Sequence, residues 1–176
     1  LGHFPAMCAL FRNAAGEPCG LHLTYLQWGW NDMPFKARIF DPKTRQALPV
    51  KKMRNVGAGS LKGAAIRLFA PENGVLAVCE GIETALAAWQ LFGIPALAAL
   101  SAHGLQSLQW PSETQTLLIA ADNDHSQIGR KAAEALTRRA ARAGIGGGVW
   151  QSETAGFDAL DELNAKQAAK PPLQRV

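Results

Sequence analysis

Hydrophobic and polar positions divide this chain into two stretches with different grammar. In the first, residues 6–12 form an apolar run, Asn13 to Pro18 carry turn residues, and residues 20–27 alternate through Leu21, Leu23 and Tyr25. This pattern predicts an antiparallel hairpin. From Trp28 to Ser60 the periodicity fails, because Gly29, Pro34, Pro42, Pro49, Gly57 and Gly59 interrupt every candidate element. That segment reads as loop-rich, with a short strand at 65–69 closing it before the turn at 71–74.

From Val75 onward strands and helices alternate. Residues 75–79 are a continuous apolar run of strand length, the form expected of a strand buried on both faces. Ile82, Ala85, Leu86 and Trp89 then recur at helical spacing until Gly93 and Pro95 end the helix. A second strand is expected at 96–100, a helical turn at 105–108 and a third strand at 116–121. A long helix from Ile128 follows, ending at Gly144, then a fourth strand at 148–151 and a last helix at 159–168. The βαβαβ order predicts an α/β fold: an open, mainly parallel sheet with flanking helices, preceded by a smaller β-rich subdomain. The expected division is 1–70, 71–168 and a tail at 169–176.

Charge sharpens that division. Residues 1–70 hold ten Lys/Arg against Glu17, Asp32 and Asp41, whereas residues 71–176 hold eight Lys/Arg against eleven Asp/Glu. A basic front half joined to an acidic back half points to a polyanionic partner or to a solvated surface. No run reaches the roughly 18 apolar residues of a spanning helix, and no signal-peptide pattern opens the chain, so it reads as cytoplasmic with no membrane partner. Its first residue is Leu1 and its end is Pro-containing, which reads as a piece of a longer protein. Cys8, Cys19 and Cys79 are widely spaced, without the pairs of a disulfide framework or zinc ribbon.

In an open α/β sheet, ligands gather beyond the carboxyl ends of the strands. Here the run 75–79 ends in Glu80-Gly81 and the run 116–121 ends in Asp122-Asn123-Asp124. If those strands are neighbours, three carboxylates share one edge. Two such charges about 4 Å apart repel by roughly 4 kcal/mol at an effective dielectric near 20, so a cation or proton must relieve them. Sparse, hard oxygen donors suit Mg²⁺, which retains waters and takes phosphate oxygens from a substrate. The other reading makes Glu80 a helix N-terminal carboxylate and the two aspartates an Asx turn.

The series Leu76 to Leu86, then Ser101-Ala102-His103-Gly104, then Ile119 to Asp124 with Gly129, resembles the Toprim domain. More narrowly it is similar to Toprim primases of phages and plasmids, many fused to a helicase, and the resemblance extends to residues 20–26 and 51–53. It implies a DNA primase core that makes RNA primers on single-stranded DNA from nucleoside triphosphates. Glu80 matches the family's proposed general base or acid, and Asp122 and Asp124 match its metal ligands for Mg²⁺, which Mn²⁺ can replace. A fused or separate helicase and a zinc-binding domain are implied as partners. The resemblance also places Lys51, Lys52, Arg54, Lys62 and Arg67 in a basic segment facing template and nucleotide. These lie around Gly57-Ala58-Gly59, whose reading on its own is equally a solvated loop.

One departure stands out. Where the family carries Gly-Lys-Asp, this chain has Gly156-Phe157-Asp158, with Asp161 following. Asp158, Asp161 and Glu83 remain as secondary site candidates, or as ordinary acids at helix starts. Trp28, Trp30 and Phe35 are candidates for stacking on bases or for core positions. Competing functions are a Toprim nuclease using the same acids on water and a non-catalytic nucleic-acid-binding replication module. A topoisomerase needs a tyrosine nucleophile, and Tyr25 sits in the predicted hairpin.

Overall fold

The computed structural model describes residues 2–30 and 32–169, so the expected tail lies outside the described residues from 170 onward. The predicted hairpin is present as β1 (Ala6–Arg12) and β2 (Pro18–Trp28). The segment expected to be loop contains two further strands, β3 (Pro34–Lys36) and β4 (Lys51–Asn55), both antiparallel to β2. Neither has a readable period. β3 is three exposed residues opening with a proline, as an edge strand tolerates, and β4 is Lys-Lys-Met-Arg-Asn with every side chain exposed. What makes them strands is pairing with β2, a long-range contact that local hydropathy does not encode.

The second stretch follows the expected order. β5 (Ala65–Arg67) is followed by β6 (Val75–Cys79), α1 (Ile82–Phe92), β7 (Ala96–Ala98), α2 (Ala102–Ser107) and β8 (Thr116–Ala121). Then come α3 (Ile128–Arg142), β9 (Gly146–Gln151) and α4 (Ala159–Ala168). Strands β7, β6, β8 and β9 are mutually parallel. β5 joins them to the hairpin, pairing Ile66 with Phe11 of β1 on one side and with Ala98 of β7 on the other. One nine-stranded sheet in the order β3-β2-β1-β5-β7-β6-β8-β9, with β4 also on β2, therefore runs unbroken across residue 70.

The buried run of β6 shows why the parallel quartet needs cover on both faces. Leu76 and Val78 point into a cluster with Leu105 of α2 and Ala132 and Leu136 of α3. Ala77 and Cys79 point the other way, onto Ile82, Ala85 and Ala88 of α1 and Ala159 of α4. These four of the five β6 side chains are fully buried. The α1 face is rich in alanine, which brings helix and sheet close together at the end where the site lies. β9 begins two residues earlier than its sequence indicates, because its glycines have low strand propensity yet pair with β8. Gly147 is required there: its φ is 122°, and a Cβ would stand 1.9 Å from the Leu117 carbonyl oxygen. Among the described residues, no helix is long and apolar enough to cross a membrane.

Candidate active site

The condition on which the acid cluster depends is met. β6 and β8 are parallel neighbours, with Cys79 opposite Ala120, so Glu80 and Asp122 leave the sheet side by side at its carboxyl edge. α1 starts immediately after its N-cap Gly81, which places Glu80 one residue before the cap of that helix. Gly129, in the first turn of α3, faces the Glu80 carboxylate so closely that a Cβ would lie 2.5 Å from Oε1. A third acid joins from the other end of the chain. Asp158 caps α4, accepting hydrogen bonds from the Leu160 and Asp161 amides on Oδ1, while its Oδ2 accepts from the Thr84 hydroxyl at 2.9 Å. Asp161 completes a capping box by accepting from the Asp158 amide.

Asp124 stands apart from these three. It is exposed, and its Oδ1 accepts from the Ser126 hydroxyl at 2.8 Å and the Gln127 amide at 3.0 Å, an Asx-type turn leading into α3. The Asp122 to Asp124 loop is clamped to the loop before α4 by backbone bonds. Asn123 N–H donates to the Phe157 carbonyl, Gly156 N–H donates to the Asn123 carbonyl, and the Asn123 side chain donates to the Ser152 and Thr154 carbonyls. Residue 157 thus holds the aspartate loop through its main chain, which phenylalanine does as well as lysine. What the substitution removes is a charge.

Facing the acids is a wall contributed by the front half. Glu80, Asp122 and Asp158 line one side of a cleft of about 410 Å³, and His22, Lys36, Lys51 and Met53 line the other. Alternation along β4 explains the selection. Lys51 and Met53 pair with Thr24 and His22 on the cleft face of β2, whereas Lys52 and Arg54 pair with Leu23 and Leu21 and face away. Lys52 instead lies over the Tyr25 ring. Arg67 is half-buried and donates to the Asn13 and Ala14 carbonyls, bracing the β1–β2 turn. Lys62 lines a separate depression beside His103. Of the five basic candidates, Lys51 alone lines this cleft.

Lys36 and His22 escaped the sequence reading. Lys36 sits in β3, which has no recognisable period, and reaches across the cleft to pair with Glu83 at 2.8 Å. His22 is buried, and its Nδ1 has no hydrogen-bond partner. Its sequence signals were its place in the resembling segment 20–26 and its position, a polar residue on the inward parity of an alternating strand. Ser101 accepts from the Gly104 amide and caps α2, so no nucleophilic triad forms with His103. Trp28, Trp30 and Phe35 are exposed and not part of the core.

The electrostatics of the cleft are those of crowded carboxylates. Burial, then Asp158, Asp124 and Asp161, push Asp122 up to about 6. Burial, then Asp122 and Asp124, raise Glu80 above the ordinary carboxylate range. Glu83 goes the other way: burial is the largest influence and opposes ionisation, but the hydrogen bond from Lys36, its own backbone amide and the charges of Lys51 and Lys36 together lower it. His22 is lowered by burial and by Lys51, with Glu83 opposing. Cys79, buried below Asp122 and Asp158, is raised far from reactivity, burial being the main cause.

These features fit a hydrated divalent cation. Asp122 Oδ1 is buried without a partner, an arrangement that costs free energy unless something positive or proton-bearing meets it. The donors are all hard oxygens, as Mg²⁺ and Mn²⁺ prefer. Among the described residues no three acid, histidine or cysteine groups converge closely enough to ligate one ion together.

The family model for the Toprim domain matches residues 75–168. The chain belongs to the Toprim family. Among solved structures, it is similar to a DNA primase domain from Pseudomonas aeruginosa, at 15% identity and TM-score 0.55, covering 92% of this chain and 47% of that one. It is also similar to the DnaG catalytic core, at 19% identity, TM-score 0.55, and 92% and 48% coverage. A DnaG primase catalytic domain bound to ssDNA is similar at 18% identity, TM-score 0.55, and 92% and 49% coverage. The likeness is one of fold, and this Toprim chain spans about half the length of those three. Comparison with curated protein sequences gives no match.

Proposed function

We propose that this Toprim chain is the core of a DNA primase, acting with Mg²⁺ in the cytoplasm to synthesise RNA primers on single-stranded DNA during replication. One observation carries the reading: a wall of carboxylates, Glu80, Asp122 and Asp158, faces a wall bearing Lys36 and Lys51 across a single cleft. Anionic phosphates need the second wall, and a cation that neutralises them needs the first. Asp122 and its acidic neighbours would hold Mg²⁺, which would supply charge neutralisation to phosphoryl transfer.

The protein's own groups do the rest. Glu80, raised by burial and its acidic neighbours, accepts the proton of an attacking 3′ hydroxyl. Asp122 would hold the ion, with Asp158 beside it and Asp124 farther out on the same loop. Lys51 and Lys36 bind triphosphate oxygens, Lys36 exchanging Glu83 for phosphate, and positioning accounts for much of the rate. Asp161 serves Asp158 through the capping box. A helicase and a zinc-binding domain, fused or separate, supply template recognition.

The test is titration of Mg²⁺ and Mn²⁺ into wild type and into an Asp122→Asn, Asp124→Asn double variant, followed by NMR, with primer-synthesis and nuclease assays alongside. Shifts centred on Glu80, Asp122 and Asp124 that vanish in the variant, together with primer synthesis, support the primase. Cleavage without synthesis makes the chain a nuclease. No shift at millimolar metal with DNA and nucleotide present sinks catalysis and leaves a nucleic-acid-binding module.

A further inference from the structure

The nine-stranded sheet has two ends, and they are built differently. At the β3 end the edge is guarded: the strand opens with Pro34, which has no N–H to offer, and closes with Lys36. β9, at the other end, reads Gly-Gly-Gly-Val-Trp-Gln, with neither charge nor proline. Gly146 donates to the Gln115 carbonyl, so residues 146, 148 and 150 bond to β8, and the main-chain groups of Gly147, Val149 and Gln151 point outward. No other described segment pairs with them. An edge of this kind is a template for another strand.

The side chains along the edge select which strand. Gly147 and Val149 pair with Leu117 and Ile119, so both positions lie on the α3 face of the sheet. Gly147 fills nothing there, and it borders an apolar depression of about 140 Å³ lined by Leu117, Ile119, Thr137, Ala140 and Ile145. Two residues along, Val149 is 37% exposed. The strand thus carries a gap and a knob on one face. When a second β9 lies antiparallel with residue 148 opposite its own copy, Val149 stands opposite Gly147 on both sides, and each gap receives a valine. In that same register the outward groups of residues 147 and 149 meet as hydrogen-bonded pairs.

We infer that β9 is the contact strand of a two-fold symmetric dimer of this chain, pairing antiparallel with β9 of a second copy so that Val149 of each covers Gly147 of the other. Such an isologous contact closes on itself. Six residues of strand span about 20 Å and bury less than the roughly 800 Å² per partner of a standard interface, so a second element must contribute. α3 does so. Thr137 and Ala141 beside the depression are small enough to let the two helices approach, and Arg138 on that flank is paired with Glu134. Because the paired strands run oppositely, the carboxyl edges of the two sheets face opposite ways and both clefts stay open. The contact is independent of the primase reading.

Sedimentation of the full chain over a micromolar concentration series tests it, with Cys8, the exposed one of the three cysteines, replaced by serine throughout. The chain with an unaltered β9 is expected to pass from monomer to dimer. Val149→Lys, which forces an unpaired charge into the gap, should raise the dissociation constant at least about tenfold. Val56→Lys, at a more exposed valine of the front half, should leave it unchanged. Register has its own test. Residue 148 faces its copy as a non-hydrogen-bonded pair with Cα atoms about 4.5 Å apart, within disulfide reach. A Cβ on Gly148 meets nothing within 4 Å, so Gly148→Cys should fold and link into a covalent dimer under oxidised glutathione, whereas Gly146→Cys should not link. Melting curves show that each variant is folded. A chain that stays monomeric, a dimer that Val149→Lys leaves intact, or equal linking at 146 and 148 overturns the contact. A β9 dimer without primer synthesis sinks the primase reading alone, and primer synthesis by a strict monomer sinks the dimer alone.

Discussion

The two walls of the cleft are made by different kinds of sheet. The acid wall sits on parallel strands, where each carboxylate follows a fully buried run or caps a helix, and the backbone beneath it is fixed by packing on both faces. The cationic wall sits on short antiparallel strands paired to β2, with Lys36 and Lys51 exposed and lining the cleft. Carboxylates held near one another on a rigid backbone carry electrostatic strain and suit chemistry. Exposed lysines on an outer strand suit a substrate that arrives and leaves. The contrast predicts that damage to the first wall removes rate, and damage to the second removes affinity.

The largest effect is expected on the acid wall without unfolding it. Glu80→Gln keeps the size of the side chain but removes the proton acceptor, and should lower the rate of primer synthesis about a hundredfold or more. Gly129→Ala should lower it about tenfold by a separate route. Its Cβ would meet Glu80 Oε1 at 2.5 Å, a flexible carboxylate that can swing aside, so the melting temperature should barely move while the carboxylate is misplaced. Single-turnover rates with melting curves check both. A Gly129→Ala protein of normal rate would show that Glu80 needs no fixed position.

The same contrast explains what the sequence disclosed. Glu80, Asp122 and Asp124 were legible because buried runs announce their strands and the loops after them are short. Neighbouring β6 and β8 then brought Glu80 and Asp122 together. Asp158 was legible as an acid at a helix start, and is that, but its approach to Asp122 depends on α4 packing on α1. The cationic wall was not legible, since Lys-Lys-Met-Arg-Asn has no hydrophobic period. Which of Lys51 and Lys52 enters the cleft is decided by register with β2, and one residue of slip would exchange them.

That register gives the next prediction. Lys51→Ala and Lys36→Ala should each raise KM for nucleoside triphosphate about tenfold with little change in kcat, because a phosphate contact made equally in ground and transition states is lost. Lys52→Ala, one residue away on the opposite face, should leave KM unchanged. Steady-state kinetics at fixed ionic strength decide it. A Lys52 effect as large as that of Lys51 breaks the assignment of faces.

The smallest effect is on stability, and its sign follows from the direction of the shift on Asp122. Its folded value, pushed up to about 6 by burial and by Asp158, Asp124 and Asp161, lies above that of an unfolded aspartate. The folded state therefore binds the proton more tightly, so this group's contribution is fully favourable below about pH 4 and is lost as pH rises through about 6. With divalent ions chelated, Asp122→Asn should stabilise the protein at pH 7.5, where the charge it removes is unfavourable. The gain should be roughly 1 kcal/mol after allowing for solvent screening at a half-open site, or about 2–4 °C in melting temperature. At pH 4 the advantage should disappear, the wild-type carboxyl being protonated in the folded protein. Added Mg²⁺ should raise the melting temperature of wild type at pH 7.5 and do less for the variant. If Asp122→Asn instead melts lower at pH 7.5, the carboxylate is a structural hydrogen-bond acceptor, and the acid wall is not held under repulsion.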